Sequence, residues 1–315
     1  MKYLVTGGAG FIGSHLCERL AKKGEVVCLD NFDPYYSPQV KWNNIELLIE
    51  HPDFELVEGS ILDRELLHRV FEDVDYVFHN AAQAGVRISV ENPGKTHEVN
   101  ATGTLNVLEI AANSGVKKVI NASSSSVYGK VSYLPFDEEH PNVPVSPYGA
   151  SKLVAEHYCR VFSELHDLET VSLRYFTVFG PKMRPDLAIN IFTGKALNNE
   201  PIEIFGDGEK TRDFTFIDNI IDGNLRAMER GNGVYNIGGG ERVSINGLAE
   251  KIVKIVGSES EIIYGESVKG DAEHTWSDVS KARREIGYKP EVGLDVGLRR
   301  YVEWYTKANE SITGD

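Results

Sequence analysis

Tyr148-Gly149-Ala150-Ser151-Lys152 sets a phenol and an ammonium four residues apart. In a helix, positions i and i+4 share one face, so both groups would open onto the same space. A free phenol titrates near ~10. A neighbouring cation favours the phenolate, and a phenolate near neutral pH is a usable general base for an alcohol proton. Upstream lie four hydroxyls in a row, Ser123-Ser124-Ser125-Ser126. One of them is able to hydrogen-bond the oxygen that Tyr148 deprotonates. Each signal has a plain alternative: an incidental pair on a helix surface, and a polar loop.

A second constellation offers a place for a cofactor. Gly7-Gly8-Ala9-Gly10-Phe11-Ile12-Gly13 reads G-x-x-G-x-x-G. One glycine permits a tight turn, the next lets backbone approach a pyrophosphate, and the third allows close helix–strand packing. The following helix start supplies N–H donors and partial positive charge for phosphates. Asp30 lies 17 residues beyond Gly13. A carboxylate there accepts from both adenosine ribose hydroxyls and repels a 2′-phosphate, which favours NAD over NADP. A loop-capping Asp is the alternative. Ser60-Ile61 is placed to edge the adenine ring.

These groups need elements to hold them. Lys2–Thr6, Glu25–Leu29, Phe54–Glu58, Val74–Phe78, Lys118–Asn121 and Thr170–Arg174 read as short strands. Ile12–Lys23, Lys41–Ile49, Arg64–Phe71, Thr96–Ser114 and Pro147–Leu165 read as helices between them. Strands alternating with helices imply right-handed crossovers and a parallel sheet covered on both faces. The glycine motif and the serine run then both fall at carboxyl ends of strands, where open α/β sheets bind ligands. After about Phe176 the pattern loosens, with Pro181, Pro185, Pro201 and the Gly238-Gly239-Gly240 run as punctuation. Ile245–Val256 and Val296–Tyr305 look like amphipathic helices. The expected fold is α/β: a Rossmann-type doubly wound parallel sheet with a smaller C-terminal α/β lobe. Residues 1–175 form the dinucleotide-binding domain, segments near 213–240 return to it, and residues 176–315 form the substrate lobe.

Composition narrows the classes. The 315 residues are 41% hydrophobic and 25% charged, an ordinary globular balance. Acids outnumber bases 47 to 33, for a net charge of −14, which argues against nucleic acid or an anionic membrane as main partner. No apolar run approaches the roughly 18–20 residues of a membrane helix. Cys17, Cys28 and Cys159 fit no metal-ligand spacing, and no metal is expected. Three cysteines suggest buried thiols in a reducing cytoplasm.

The motifs together carry a resemblance. TGGAGFIGSHL (Thr6–Leu16), DNFDPYY (Asp30–Tyr36), HNAAQAGVR (His79–Arg87), SSSSVYG (Ser123–Gly129), YGASK (Tyr148–Lys152), RYFTVFGP (Arg174–Pro181) and TRDFTFIDN (Thr211–Asn219) stand in order over most of residues 1–305. The chain resembles the extended short-chain dehydrogenase/reductase family, in particular its nucleotide-sugar epimerases and dehydratases. The resemblance implies a tightly held NAD and a UDP-sugar substrate. Tyr148 would take a proton from the sugar, Lys152 would hold the nicotinamide ribose, and Ser124 would be the catalytic hydroxyl. It implies dinucleotide contacts at Gly7, Gly10, Phe11, Ile12, Gly13, Asp30, Asn31, Ser60, Ile61, Ala81, Ala82, Gln83, Asn100, Ser123, Tyr148, Lys152, Tyr175 and Val178. Substrate contacts are implied at Arg87, Ser124, Ser125, Ser126, Tyr148, Thr177, Arg184, Ala188, Arg212 and Asp271. Arg212 would grip the diphosphate and Asp271 would lie near the uridine ribose. Relatives often dimerise through the equivalents of Thr96–Ser114 and Pro147–Leu165, so a homodimer is expected.

Within the family, dehydratases place an Asp-Glu pair after the catalytic Ser or Thr. Here those positions are Ser125 and Ser126, which cannot do that proton chemistry at neutral pH. Thr177 stands where galactose-type epimerases usually carry Asn, and Gly180–Ala188 resembles the GP-x-x-RPD-x-A of UDP-glucuronate 4-epimerases. The expectation is interconversion of UDP-glucuronate and UDP-galacturonate through a 4-keto intermediate. The alternatives are UDP-glucose/UDP-galactose 4-epimerisation, UDP-glucuronate decarboxylation, and a non-catalytic NAD-binding regulator.

Overall fold

The computed structural model describes residues 1–266 and 273–313. The first half runs β1 (Lys2–Thr6), α1 (Phe11–Leu20), β2 (Glu25–Asp30), α2 (Pro38–Ile49), β3 (Phe54–Glu58), α3 (Arg64–Val70) and β4 (Tyr76–His79). It continues through α4 (Val86–Glu91), α5 (Pro93–His97), a π-helical turn (Glu98–Thr102), α6 (Gly103–Asn113), β5 (Lys118–Ser124), α7 (Pro147–Leu165) and β6 (Glu169–Tyr175). Then come β7 (Thr177–Phe179), α8 (Ala188–Leu197), β8 (Ile202–Phe205), β9 (Thr211–Arg212), β10 (Phe214–Phe216), α9 (Ile217–Arg230) and β11 (Gly233–Ile237). The chain closes with β12 (Val243–Ser244), α10 (Ile245–Val256), β13 (Ile262–Gly265), α11 (Ser280–Ile286) and α12 (Leu294–Thr313).

Seven strands form one sheet in the order β11-β6-β5-β4-β1-β2-β3. Every neighbouring pair in it is parallel. The order reverses between β1 and β4, where Thr6 faces Leu29 on one side and His79 on the other. That reversal opens a crevice at the carboxyl ends of the strands. Both faces are dry, as a parallel sheet requires. Tyr3, Val5, Cys28, Phe78 and Ile120 point into one core; Leu4, Val27, Leu29, Val77 and Val119 point into the other.

Two features depart from the periodicity. The expected single helix over Thr96–Ser114 begins at Pro93 and contains the π turn, whose extra residue carries Asn100 inward. Tertiary hydrogen bonds to Asn100, described below, outweigh regular helix spacing there. The C-terminal half holds strands of two to four residues in three two-stranded sheets, too short to give a period of two. Residues 217–237 return to the large sheet. There α9 packs beside β5 and β6, and β11 adds the edge strand beyond β6.

Candidate active site

The turn from β1 to α1 is built on glycine for steric reasons. Gly7 has φ +66°, and a Cβ on it would meet the Ala81 backbone nitrogen at 2.8 Å. A Cβ on Gly13 would sit 2.2 Å from the Gly7 carbonyl oxygen. Gly8, not among the glycines singled out from sequence, is as confined: its Cβ would lie 2.5 Å from the Cys28 sulfur. Gly10 caps α1 with extended backbone and no side chain, which leaves the first-turn N–H groups of Phe11, Ile12 and Gly13 to an outside acceptor. These features fit a dinucleotide, whose pyrophosphate needs backbone approach and N–H donors.

Asp30 ends β2 and is buried. Its carboxylate accepts the Ala9 N–H (3.2 Å), the Phe32 N–H (2.9 Å) and the Lys41 ammonium (3.0 Å). Three donors fix the carboxyl plane beside the crevice before any ribose arrives. Lys41 escaped the sequence reading; it reaches back one turn into α2. Asn31 is exposed, and its amide caps the turn to Asp33. Ser60 and Ile61 line the crevice, and the Ser60 hydroxyl accepts the Leu62 N–H.

Beyond β4, Ala81, Ala82 and Gln83 form the next stretch of wall. Asn100 stands behind it and is buried. It takes the Gln83 N–H (2.7 Å) and donates to the Gln83 carbonyl (3.2 Å) and the Ser151 hydroxyl (2.9 Å). Its place is that of a staple between the β4 loop and α7. Tyr175 and Val178 close the far wall.

The carboxyl end of β5 meets α7 across the crevice floor. Pro147 starts α7, and the Ser146 hydroxyl caps it by accepting the Gly149 N–H (3.1 Å). Tyr148 and Lys152 therefore share a face. Tyr148 hydrogen-bonds Ser124. Lys152 donates to the Ala122 carbonyl (2.7 Å). Ser123, between them, donates to Glu156 (2.5 Å).

The electrostatics correct one expectation. Burial pushes the Tyr148 phenol up, and the groups that pull it back are Ser124 and the Arg184 guanidinium. Among the protein's own groups, Arg184 is the cation that favours the phenolate; Lys152 is turned to the Ala122 carbonyl. Burial also pushes Lys152 down to about 8, with Cys159 and Glu156 opposing. The buried His79 is pushed down to about 3 by its dry site and then by Lys152. It hydrogen-bonds Thr6 (2.8 Å) and Thr104 (2.9 Å).

On the C-terminal side, Thr177 and Arg184 line the same crevice. Arg184 makes two 3.0 Å bonds to Asp186 and lies over the Tyr35 ring, 5.3 Å from its centre. Tyr35 in turn donates to Asp186 (3.1 Å). The DNFDPYY segment thus meets the Arg184–Asp186 segment at the crevice. Its aromatic doublet just past the strand-end acid was the available signal. Ser125 and Ser126 form a 3-10 turn, and Ser126 accepts from Ser124 at 3.1 Å. Arg87 is exposed on α4, 5.2 Å from the centre of the Phe205 ring. Ala188 opens α8. Arg212 pairs with Val243 between β9 and β12 and donates to the Thr211 and Glu273 carbonyls. Asp271 lies outside the described residues. The structure thus gathers Gly7, Asp30, Ser124, Tyr148, Lys152, Thr177 and Arg184 on one crevice of about 400 Å³, within the ordinary range for ligand pockets. Ser125, Ser126, Asn100, Arg87, Ala188 and Arg212 are not among the residues that line it.

Known proteins are similar to this chain along most of its length. A family model for the NAD dependent epimerase/dehydratase family matches residues 3–238. A putative UDP-glucose 4-epimerase of Methanocaldococcus jannaschii is 40% identical over 98% of this chain and 99% of its own. A UDP-glucuronate 4-epimerase of Thermodesulfobacterium geofontis is 39% identical over 96% and 95%. The crystal structure of UDP-glucuronic acid 4-epimerase from Bacillus cereus, in complex with UDP-glucuronic acid and NAD, superposes with a TM-score of 0.93 at 38% identity. It covers 98% of this chain and 100% of that one.

Proposed function

Since the chain belongs to the NAD-dependent epimerase/dehydratase family, we propose that it is a UDP-sugar 4-epimerase whose substrates are UDP-glucuronate and UDP-galacturonate. The observation that carries the reading is the meeting of Ser124, Tyr148, Thr177 and Arg184 on the crevice that the glycine turn opens. A nicotinamide dinucleotide, when bound, supplies a reversible hydride acceptor for C4 of the sugar. Gly7, Gly10 and the start of α1 hold its pyrophosphate, Asp30 its adenosine ribose, and Lys152 its nicotinamide ribose.

Ser124 and Tyr148 hydrogen-bond the C4 hydroxyl, and Tyr148 takes its proton. Burial opposes the phenolate, so positive charge must gather before the proton moves. Arg184 contributes part of that charge from the substrate side. The same phenol returns the proton after the 4-keto sugar has turned its other face. Dehydration is absent from the scheme, because Ser125 and Ser126 offer no acid or base at neutral pH.

A 4-keto uronate loses carbon dioxide when its carboxylate bond aligns with the carbonyl π system. Thr177, Ser125 and Ser126 hold the carboxylate out of that alignment through neutral hydroxyls. Arg184 is ion-paired with Asp186, which tempers its pull on the same group. Arg212 serves the diphosphate, where a planar guanidinium suits bidentate contact. The three cysteines are free and buried, as suits a reducing cytoplasm. The 73% exposed Leu165 at the end of α7 supports pairing of two copies through this helix.

Purified protein incubated with UDP-glucuronate, without added cofactor, should yield UDP-galacturonate and little UDP-pentose. Pentose as main product overturns the assignment. A second reading, UDP-glucose/UDP-galactose 4-epimerisation, is favoured by the name of the M. jannaschii relative. The ratio of kcat/KM on the two sugars separates them.

A further inference from the structure

Three rungs join α7 to the end of β5. Tyr148, Lys152 and Glu156 stand at i, i+4 and i+8, on one helix face. They meet the Ser124 hydroxyl, the Ala122 carbonyl and the Ser123 hydroxyl respectively. The third rung is the most heavily braced. Glu156 and Arg174 are both buried, at 5% and 3% exposure. Glu156 receives Arg174 through Nε (2.9 Å) and Nη2 (2.8 Å) as well as Ser123. Arg174 sits on β6 directly opposite Ser123 in the strand register. Its guanidinium also lies 4.7 Å from the centre of the Tyr128 ring, and Tyr128 donates to Asn236 on β11. The brace therefore runs through β11, β6, β5 and α7.

A buried ion pair costs more to desolvate than its mutual attraction commonly returns, so stability alone is a poor account of it. Its neighbours supply another. Facing Lys152 are Tyr148, Glu156 and Cys159 from α7 itself, and His79 from β4. From β5 come the Ala122 carbonyl and two serine hydroxyls, and from β6 comes Arg174, held by Glu156. Cys159 and His79 are neutral at pH 7, since burial raises the one and lowers the other. Glu156 is the carboxylate in this set.

We propose that Glu156 is a positioning residue: braced by Arg174 and Ser123, it holds α7 in register with the end of β5 and keeps Lys152 in its ammonium form. The inference rests on the reading of Lys152 as the group that holds the dinucleotide. The sugar does not enter it.

The test uses the holoenzyme as purified. NAD retained after gel filtration is measured from pH 6 to 10 for the wild type, Glu156→Gln and Glu156→Asp, beside the kcat/KM profile on the preferred UDP-sugar. Glu156→Gln should move the midpoint of alkaline NAD loss down by at least about 0.5 pH unit, roughly a threefold change in the proton equilibrium. The alkaline limb of kcat/KM should follow, and Glu156→Asp should recover most of the shift. Should Glu156→Gln fail to fold around its unpaired arginine, Glu156→Gln/Arg174→Met removes both charges and is expected to show the same direction. An unmoved midpoint in the folded variant, or a loss of NAD equal at every pH, overturns the proposal. The retention profile needs no turnover, so it decides this inference even if UDP-glucuronate proves not to be a substrate.

Discussion

The two walls of the crevice are held by different means. The wall proposed for the dinucleotide is backbone and short side chains on a seven-stranded sheet. Gly7 N–H bonds Leu29, Ala9 N–H bonds Asp30, and Gln83 N–H bonds Asn100. The wall proposed for the sugar is long side chains on loops, with Arg184, Asp186 and Tyr35 tied to one another. Its strands run in pairs, and Phe205 and Tyr264 are 49% and 59% exposed. The contrast teaches a division of labour. Cradling a pyrophosphate calls for backbone geometry, which tolerates no added atom. Choosing a sugar calls for side chains, whose exchange leaves the sheet standing.

Substitutions can break or sharpen that contrast. The largest effect is expected where the walls meet. Tyr148→Phe should cut kcat by about 10³-fold, the order of a general base, while NAD content after gel filtration stays at the wild-type level. Loss of NAD with turnover would show that the phenol is part of the dinucleotide wall. Next comes the wall of glycines. Gly13→Ala drives a methyl into the Gly7 carbonyl. It should lower stability by roughly 1–3 kcal/mol in urea unfolding and empty the protein of NAD.

Acid should weaken the dinucleotide half through His79. Its folded pKa of about 3 lies below the ordinary value of 6.5. The unfolded chain therefore binds the extra proton, and stability is full above pH 6.5 and falls as pH drops toward 3. By pH 5 the loss from this group is about 2 kcal/mol, readable as a shift in the urea midpoint. A flat profile would show that His79 is charged in the fold.

On the sugar wall the effects should be smaller and confined to the substrate and its turnover. Arg184→Ala should raise KM for the UDP-sugar about tenfold, roughly 1.4 kcal/mol, and lower kcat as well, because Arg184 favours the Tyr148 phenolate, with NAD content unchanged. Tyr35→Phe removes one hydrogen bond to Asp186 and keeps the ring beneath Arg184. It should raise KM about two- to fivefold, on the order of 0.5–1 kcal/mol. An equal loss of NAD in either variant would erase the distinction between the walls.

The same contrast governs what could be read from sequence. Lys2–Thr6 and Phe54–Glu58 match the expected strands residue for residue, because alternation, glycine and a terminal acid are local signals. Tyr148, Lys152 and Ser124 were legible for the same reason: spacing on one helix, and a run at a strand end. The π turn was not, since Asn100 takes its shape from partners at Gln83 and Ser151. Lys41 gains its role from Asp30, and the Tyr35-Tyr36 doublet marks its segment but not its partner, since Asp186 lies 151 residues along the chain. Glu156 lay within reach. It continues the Tyr148–Lys152 spacing by one more turn, but a lone acid on a helix reads as surface until its burial is known. The electrostatic part misled for a related reason. Spacing puts Lys152 beside Tyr148, whereas the Ala122 carbonyl decides where its ammonium points.

The position of β11 bears on biosynthesis. It closes the sheet by pairing with β6, yet residues 176–232 are made between the two. At about 5–20 residues per second, a ribosome needs roughly 3–12 s to cover that interval. Throughout it β6 stands as an open edge, able to pair with another nascent chain. A gene fragment stopped near residue 175 would leave that edge open for good, and should precipitate instead of folding as a dinucleotide carrier.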